Sequence, residues 1–194
     1  MELRDKKVAT RQSYGEALKE LGQENENIVV LDADLSSATK TNLFAKEFPK
    51  RFFEMGIAEQ NMIGTAAGLA TCNKIPYAST FAVFAAGRAY DQIRNSICYP
   101  KLNVKICATH AGITVGEDGA THQMVEDISM MRTLPNMTVM STSDDIQTKW
   151  AVKEISKIKG PVYLRLSRLE TNVIYDENQK FEIGKAVQIG NGTD

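Results

Sequence analysis

The sequence predicts an α/β protein with a doubly wound, largely parallel sheet and helices on both faces. Short apolar runs rich in β-branched residues alternate along the chain with segments of helical periodicity. This alternation of strands and helices is typical of parallel sheets. The chain has 194 residues, of which 43% are hydrophobic, and this is enough for one domain with a substantial core.

The predicted strands are short runs of apolar and β-branched residues, and the predicted helices are the periodic segments between them. The strands lie near Ile28–Leu31, Phe52–Glu54, Tyr77–Thr80, Val104–Thr109, Met137–Met140 and Val162–Leu166. The helices cover Thr10–Glu24, Thr39–Glu47, Ala58–Cys72, Ala85–Cys98, His122–Thr133 and Asp144–Ile158. After Arg168 the pattern loosens, which predicts one domain over residues 1–175 and a linker over 176–194 that leads toward a further, C-terminal domain.

Composition excludes several classes of function. The 23 basic and 24 acidic residues are interspersed and give a net charge of -1, which argues against binding to nucleic acid or to a membrane surface. No uncharged apolar run reaches the roughly 18 residues of a membrane span, and the N-terminus lacks the apolar region of a signal peptide. The three cysteines have apolar neighbours and are expected to be buried and reduced. We therefore expect a cytoplasmic protein.

Glu59 is the most informative residue of the chain. It begins a segment of mostly small residues, Ile63–Ala70, whose composition lets a helix approach another backbone closely. Burying an unpaired carboxylate costs several kcal/mol, so Glu59 should be protonated, paired or bound to a ligand. The alternative is that Glu59 only complements the dipole of a helix N-terminus.

Polar and aromatic residues follow most of the predicted strands, at the edge of a parallel sheet where ligands bind. Both histidines of the chain flank a glycine-rich loop after the fourth strand, where they could donate hydrogen bonds to a substrate. Their spacing does not indicate a metal site, and the loop matches no phosphate-binding motif. Arginines at this edge are suited to phosphate. The residues of this edge are Asp32, Asp34, Glu54, Glu59, Phe81, Phe84, His110, Gly112–Gly119, His122, Arg165 and Arg168, with Arg11 as a further candidate for phosphate.

Several separated motifs, in the same order along the chain, resemble the pyrimidine-binding domain of transketolase, over about residues 11–168. They are Gly56–Met62 (Gly-Ile-Ala-Glu-Gln-Asn-Met), Ser79–Phe81, Arg88–Arg94 (Arg-Ala-Tyr-Asp-Gln-Ile-Arg), Thr109–His110, Val115–Gln123 (Val-Gly-Glu-Asp-Gly-Ala-Thr-His-Gln) and Leu134–Asn136. The resemblance implies the thiamine diphosphate pyrimidine-binding fold. It also implies transfer of a two-carbon ketol unit from a ketose phosphate to an aldose phosphate through a thiamine diphosphate ylid, as in the pentose phosphate pathway.

The resemblance also implies a partner. In this family the aminopyrimidine lies in this domain, and the diphosphate and a divalent metal, Mg or Ca, lie in another. The Gly-Asp-Gly metal motif of that other domain is absent from this sequence, so we expect no metal ligands here. A diphosphate-binding domain or an N-terminal transketolase subunit should complete the site, in a homodimer or a heterotetramer, and the chain alone should be inactive.

The resemblance assigns roles to individual residues. Glu59 would hydrogen-bond the aminopyrimidine N1′, Phe84 would stack on this ring, and Phe81 and Asp34 would lie near the cofactor. His110, His122 and Asp118 would contact the sugar, with both histidines catalytic. Arg11 and Arg168 would bind the substrate phosphate. Ala38 stands where the family often has Ser, which leaves part of the phosphate site open.

Two alternatives remain at this stage. The first is a domain like that of 1-deoxyxylulose-5-phosphate synthase, which usually has His where this chain has Asn61. The second is a noncatalytic interaction module with the same fold, which would be expected to have lost residues at the ligand-binding edge.

Overall fold

The computed structural model describes residues 6–190 and 192. The ends of the predicted domain and linker, at 1–5, 191, 193 and 194, lie outside the described residues. The strands are β1 (Lys7–Ala9), β2 (Ile28–Asp32), β3 (Phe52–Glu54), β4 (Ile75–Phe81), β5 (Lys105–Thr109), β6 (Thr138–Ser141), β7 (Val162–Arg165) and β8 (Glu170–Asn172). The helices are α1 (Thr10–Glu24), α2 (Ser36–Thr39), α3 (Asn42–Glu47), α4 (Glu59–Thr71), α5 (Tyr90–Gln92), α6 (Asp127–Arg132) and α7 (Asp145–Ile155).

Six of these strands form one parallel sheet in the order β3-β2-β4-β5-β7-β6. The chain runs outward from β2 to β3 and then returns to place β4 on the other side of β2. This reversal creates a topological switch point at the carboxyl ends of β2 and β4, which is where doubly wound folds bind ligands. The predicted fold class is confirmed.

Successive residues of the central strands belong to two different apolar clusters, as the alternation of side chains in a strand requires. In β2, Val30 packs in one cluster and Leu31 in the other. The first cluster also contains side chains of α1, α3 and α7, and the second contains those of α4 and α6. Helices therefore cover both faces of the sheet.

Helix α1 shows why these segments are helical. Its buried side chains Tyr14, Leu18 and Leu21 recur at helical spacing along one face. Gly22 allows α3 to approach closely, because a Cβ atom there would lie 2.5 Å from the ring of Phe44. The guanidinium of Arg51 then donates to the carbonyls of Gly22 and Asn25 at the end of α1, which satisfies acceptors that a helix terminus leaves free.

The predicted helix 39–47 is divided into α2 and α3. Lys40 adopts a left-handed conformation with φ of 71°. The hydroxyls of Thr39 and Thr41 on either side both donate to the buried carboxylate of Asp32, at 2.6 and 2.8 Å. The chain therefore turns at Lys40 to satisfy this carboxylate, and the helix resumes at Asn42.

Two other predicted helices also differ from the structure. Segment 85–98 contains wide π-type turns at Val83–Arg88 and Ile93–Cys98 around the short α5. Segment 122–133 is α-helical only in α6, since His122 ends a short 3-10 helix, Ala120–His122, and Met124 forms a backbone bridge with Gly112. This bridge takes the preceding residues out of the helix.

The first described residues of the chain pair with a strand that follows β7. Strands β1 and β8, which the sequence analysis missed, form a two-stranded antiparallel ribbon. In the predicted linker, the ring of Phe181 lies 5.2 Å from Trp150 and 4.8 Å from Tyr175. Cys72 is exposed, which corrects the expectation that all three cysteines are buried. None of the helices in the described part of the chain is long and apolar enough to span a membrane.

Candidate functional site

A cavity of about 350 Å³ lies at the switch point of the sheet. Its lining residues follow the carboxyl ends of β2, β3, β4 and β5, so four loops contribute to one site. They are Ala33, Asp34, Leu35, Ile57, Glu59, Phe81, Phe84, Arg88, Asp118 and His122. The structure thus brings together six of the side chains predicted from the sequence, and it adds Arg88.

Glu59 is the first residue of α4, and only 1% of its side chain is exposed. Both carboxylate oxygens lie 2.9 Å from Nη1 of Arg88. The expectation that a carboxylate in this segment needs a partner is confirmed, and Arg88 provides it. The position at the helix N-terminus also suits a negative charge.

Aromatic rings form one wall of the cavity. The rings of Phe81 and Phe84 are nearly parallel, with centroids 5.9 Å apart and planes inclined by 8°. The ring of His122 meets Phe84 edge-on at 5.5 Å. The parallel rings of Phe81 and Phe84 give the cavity an apolar surface beside its charged lining residues, an arrangement that suits a planar heteroaromatic ligand.

His110 lies directly behind this wall. Its ring stacks on Phe81 at a centroid distance of 3.8 Å, and its Nδ1 lies 2.9 Å from Oγ1 of Thr109. Burial, with the nearby cations Arg11 and Arg168 as smaller causes, lowers the pKa of His110 to about 4. The imidazole is therefore neutral at physiological pH and has one N–H to donate and one nitrogen to accept.

The backbone at His110 is in the left-handed region, with φ of 59°. Such a conformation costs a non-glycine residue about 1 kcal/mol, so the surrounding structure must hold it. The N–H of the next residue, Ala111, donates to the carbonyl of Leu166 at 3.2 Å. This backbone bond holds the turn against the segment that follows β7.

Arg11 and Arg168 lie beside His110 and form a second, cationic part of the site. Burial and the charge of Arg168 lower the pKa of Arg11 from its usual value. Nη1 of Arg11 donates to the carbonyl of Ala38 at 2.9 Å, and the Arg168 guanidinium lies directly against the backbone of Gly116. Adjacent cations of this kind favour an anionic ligand.

Asp34 is placed by a network at the end of β2. The carboxylate of Asp32 accepts from the N–H of Leu35 at 2.7 Å, and burial raises its pKa to about 6 against the effect of its hydrogen bonds. The N–H of Asp34 donates to Oε1 of Glu54 at 2.7 Å. These contacts fix the left-handed turn at Asp34, where φ is 62°.

Asp118 and His122 belong to the loop that follows His110. The two ends of this loop are joined by backbone hydrogen bonds between Gly112 and Met124, at 2.7 and 3.2 Å. Nδ1 of His122 lies 3.0 Å from Oγ1 of Thr121. These backbone bonds fix the two ends of the loop, and the loop brings one carboxylate and one imidazole to the cavity.

Arg165, which the sequence analysis considered for phosphate binding, has a structural partner instead. Its Nε donates to the buried carboxylate of Asp127 at 2.9 Å, and the hydroxyl of Tyr163 donates to the same oxygen at 3.0 Å. The other end of the guanidinium lies against Gly112 at the base of the loop. Arg165 thus supports the loop from beneath.

The analysis of the sequence missed Arg88 and Thr109 as parts of the site. Arg88 follows Phe84 by one helical turn, and its guanidinium lies 4.5 Å from the centroid of that ring. The spacing of a cation one turn after an aromatic residue could have indicated this contact. Thr109 carried none, because a threonine at the end of a strand is ordinary.

Fold and site together define a doubly wound α/β domain with a buried acid and an aromatic wall in a cavity at its switch point. The sequence profile of the transketolase pyrimidine-binding domain matches residues 6–173. The chain therefore belongs to the transketolase pyrimidine-binding domain family.

Named relatives agree with this membership. A putative transketolase C-terminal section of Methanocaldococcus jannaschii is 59% identical over 186 residues, which are 95% of this chain and 59% of that protein. Human transketolase is 42% identical over 181 residues, 93% of this chain and 29% of that protein. A solved structure, described as a split-gene transketolase in an inactive beta4 tetramer, superposes with a TM-score of 0.82 at 60% identity and covers 92% of this chain and 57% of its own. The chain thus spans only part of the length of these relatives.

Proposed function

We propose that this chain is the pyrimidine-binding part of a transketolase, which transfers a two-carbon ketol unit between sugar phosphates. The observation that carries the proposal is the buried carboxylate of Glu59, which lines the same cavity as the parallel rings of Phe81 and Phe84. Membership of the family supports it, and the transketolase names of the relatives favour ketol transfer over the synthase reaction. A noncatalytic module would have no need of this arrangement.

The residues of the cavity fit part of thiamine diphosphate. An aminopyrimidine is flat, and its N1′ needs a carboxyl partner, which Glu59 supplies beside the aromatic wall. The diphosphate and its metal need other ligands, and no group of three His, Cys, Asp or Glu side chains within the described residues could hold a metal ion. We assign the diphosphate and a divalent metal, Mg or Ca, to a partner domain.

When bound, thiamine diphosphate supplies the carbon nucleophile that attacks the ketose carbonyl and carries the two-carbon unit. Glu59 would share a proton with N1′ of the aminopyrimidine ring. Phe84 and Phe81 would hold this ring, and Asp34 would lie beside the cofactor. His110, neutral at physiological pH, donates its ring N–H to a sugar oxygen. His122 does the same from the loop, and the carboxylate of Asp118 accepts from a sugar hydroxyl.

The cationic part of the site is the proposed position of the substrate phosphate. Arg11 and Arg168 provide planar guanidinium groups suited to a phosphate. Arg11 keeps one N–H for the carbonyl of Ala38, and its buried Nε has no hydrogen-bond partner among the described residues. A bound phosphate oxygen would satisfy this donor.

Assembly with another subunit is part of the proposal. Helix α4 presents Gly64 and Gly68 on one exposed face, where an added Cβ would have no neighbour within 4 Å. Small residues at this spacing let a second helix approach closely, so we expect a homodimer or a heterotetramer with the diphosphate-binding subunit. All three thiols are free, which suits a reducing compartment such as the cytoplasm.

Reconstitution tests the proposed function. The complete native chain is mixed with its diphosphate-binding partner, thiamine diphosphate and magnesium, and ketol transfer from a ketose phosphate to an aldose phosphate is measured. We expect activity only with both proteins present. Glu59→Gln should lower kcat on the order of 100-fold or more, as expected for the loss of a proton-transfer group.

Glu26→Gln is the matched control, because Glu26 is an exposed carboxylate that precedes β2 at the opposite edge of the sheet. It should leave activity unchanged. Full activity of the Glu59→Gln protein, or no transfer by the wild-type pair, would exclude the proposed function.

A further inference from the structure

The pair between Arg88 and Glu59 joins two side chains of very different exposure. The carboxylate side chain is 1% exposed, and the guanidinium side chain is 47% exposed. Nη1 of Arg88 lies 2.9 Å from both carboxylate oxygens. Among residues 6–190, Arg88 is the side chain that pairs with this carboxylate.

Arg88 also occupies the aromatic wall of the cavity. Its guanidinium carbon lies 4.5 Å from the centroid of the Phe84 ring, and Arg88, Phe84 and Glu59 all line the same cavity. A planar ligand that stacks on Phe84 and hydrogen-bonds Glu59 would need the position that this guanidinium takes. The ligand and the guanidinium would therefore compete for these two contacts.

The difference in exposure determines which partner can leave. Glu59 is held in the first turn of α4, and a buried carboxylate that is separated from Arg88 needs another hydrogen-bonding partner. Arg88 lies at the end of a wide π-type turn, Val83–Arg88, at the rim of the cavity, so its side chain can rotate into water at little cost in solvation. Exchange of Arg88 for another hydrogen-bonding partner is therefore favoured over movement of Glu59.

We infer that Arg88 is a positioning residue: it holds the carboxylate of Glu59 at the cavity wall and is displaced by the aminopyrimidine when the cofactor binds. This inference rests on the proposed function. It adds that binding of the cofactor must break an ion pair inside this chain, so that Arg88 lowers the affinity for the cofactor while it keeps the empty site in order.

Calorimetric titration tests the exchange. Thiamine diphosphate with magnesium is titrated into the complete chain assembled with its diphosphate-binding partner, for the wild type, Arg88→Met, Arg94→Met and Glu59→Gln. Arg88→Met should bind the cofactor about fivefold more tightly, because the cofactor no longer has to displace the guanidinium from Glu59 before it binds. Damage to the fold would weaken binding, so a gain in affinity cannot arise from lost structure.

Arg94→Met is the matched control, because Arg94 is an exposed arginine of the same segment that does not line the cavity. Its affinity should equal that of the wild type. Glu59→Gln should bind the cofactor about tenfold more weakly, as expected for a lost hydrogen bond to a charged group.

The outcomes separate the two proposals. Equal or weaker binding by Arg88→Met, with Glu59→Gln weakened, would overturn the exchange and leave the proposed function standing. Unchanged binding by Glu59→Gln would overturn the proposed function itself. If circular dichroism shows that Arg88→Met does not fold, a crystal structure of the loaded wild-type complex decides. A guanidinium of Arg88 still within 4 Å of the Glu59 carboxylate would then refute the exchange.

Discussion

The imidazole of His110 stacks on the ring of Phe81, with centroids 3.8 Å apart and planes inclined by 22°. This contact buries His110, of which only 2% is exposed, and it links the residue proposed to contact the sugar to the wall proposed to hold the cofactor. Displacement of either ring would therefore disturb both parts of the site.

Burial of His110 predicts a loss of stability in acid. Its pKa is about 4 in the folded chain and 6.5 in its reference state, so between these values the unfolded chain binds the proton more readily. The free energy of unfolding should therefore fall as the pH decreases from about 6.5 to about 4, by about 3 kcal/mol in total for this group. Urea unfolding of the wild type and of His110→Asn at several pH values measures this difference. Parallel pH dependences for the two proteins would contradict the prediction.

The pair between Arg165 and Asp127 predicts a large effect on stability. Arg165→Met should lower the free energy of unfolding by on the order of 3 kcal/mol, because it removes the charged partner of the buried Asp127 carboxylate and leaves the hydroxyl of Tyr163 as its side-chain donor among the described residues. Arg132→Met, which removes an exposed arginine of α6, should have little effect. Urea denaturation measures both, and equal stabilities of the two variants would show that the pair contributes nothing.

Two glycines of the loop provide a test of the phosphate site. Gly116 and Gly119 both have positive φ, at 84° and 72°, so alanine should cost each about 1 kcal/mol of backbone strain. Only at Gly116 would the new Cβ collide with the guanidinium of Arg168. Gly116→Ala should raise KM for a phosphorylated ketose about tenfold, as expected for one weakened charged contact. KM for an unphosphorylated ketose should change much less.

Gly119→Ala serves as the control for backbone strain in that experiment, because its nearest neighbour would be a backbone oxygen 4.0 Å away. Steady-state kinetics of the reconstituted enzyme give the four KM values. If both variants raised KM equally for both substrates, Arg168 would have no particular role in phosphate binding.

The exposed glycines of α4 predict opposite effects on folding and on assembly. Alanine at Gly64 and Gly68 meets no neighbour among the described residues, so each change should stabilise the helix by about 0.5–1 kcal/mol. If a second subunit packs on this face, the same methyl groups should weaken association. Urea unfolding and sedimentation velocity measure the two effects. Unchanged association would place the subunit contact elsewhere.

Much of this architecture follows from local patterns. The alternation of apolar runs and periodic segments determines a parallel sheet, and the sheet in turn places the residues after Asp32, Glu54 and Phe81 at one edge. The burial of Glu59 could be inferred from the small residues that follow it. These inferences need only the periods of strand and helix and the cost of burying a charge.

The partners of these residues could not be inferred in the same way. Arg88 reaches Glu59 because a wide turn after β4 directs it there, and no local pattern specifies such a turn. The spacing of Arg88 from Phe84 could indicate their contact, but not the pairing of Arg88 with Glu59. The pairing of Asp127 with Arg165 joins residues far apart in sequence, and strands β1 and β8 are three-residue segments too short to show a period. The prediction of one helix over 39–47 was wrong because the hydroxyls of Thr39 and Thr41 both donate to the buried carboxylate of Asp32, which requires a turn at Lys40.

Arg11 binds position 38 through its main-chain carbonyl. That bond does not depend on the side chain at position 38, so a substitution there would leave this contact of Arg11 in place. The orientation of this guanidinium is therefore set by the main chain at the end of α2 rather than by the side chain of its neighbour.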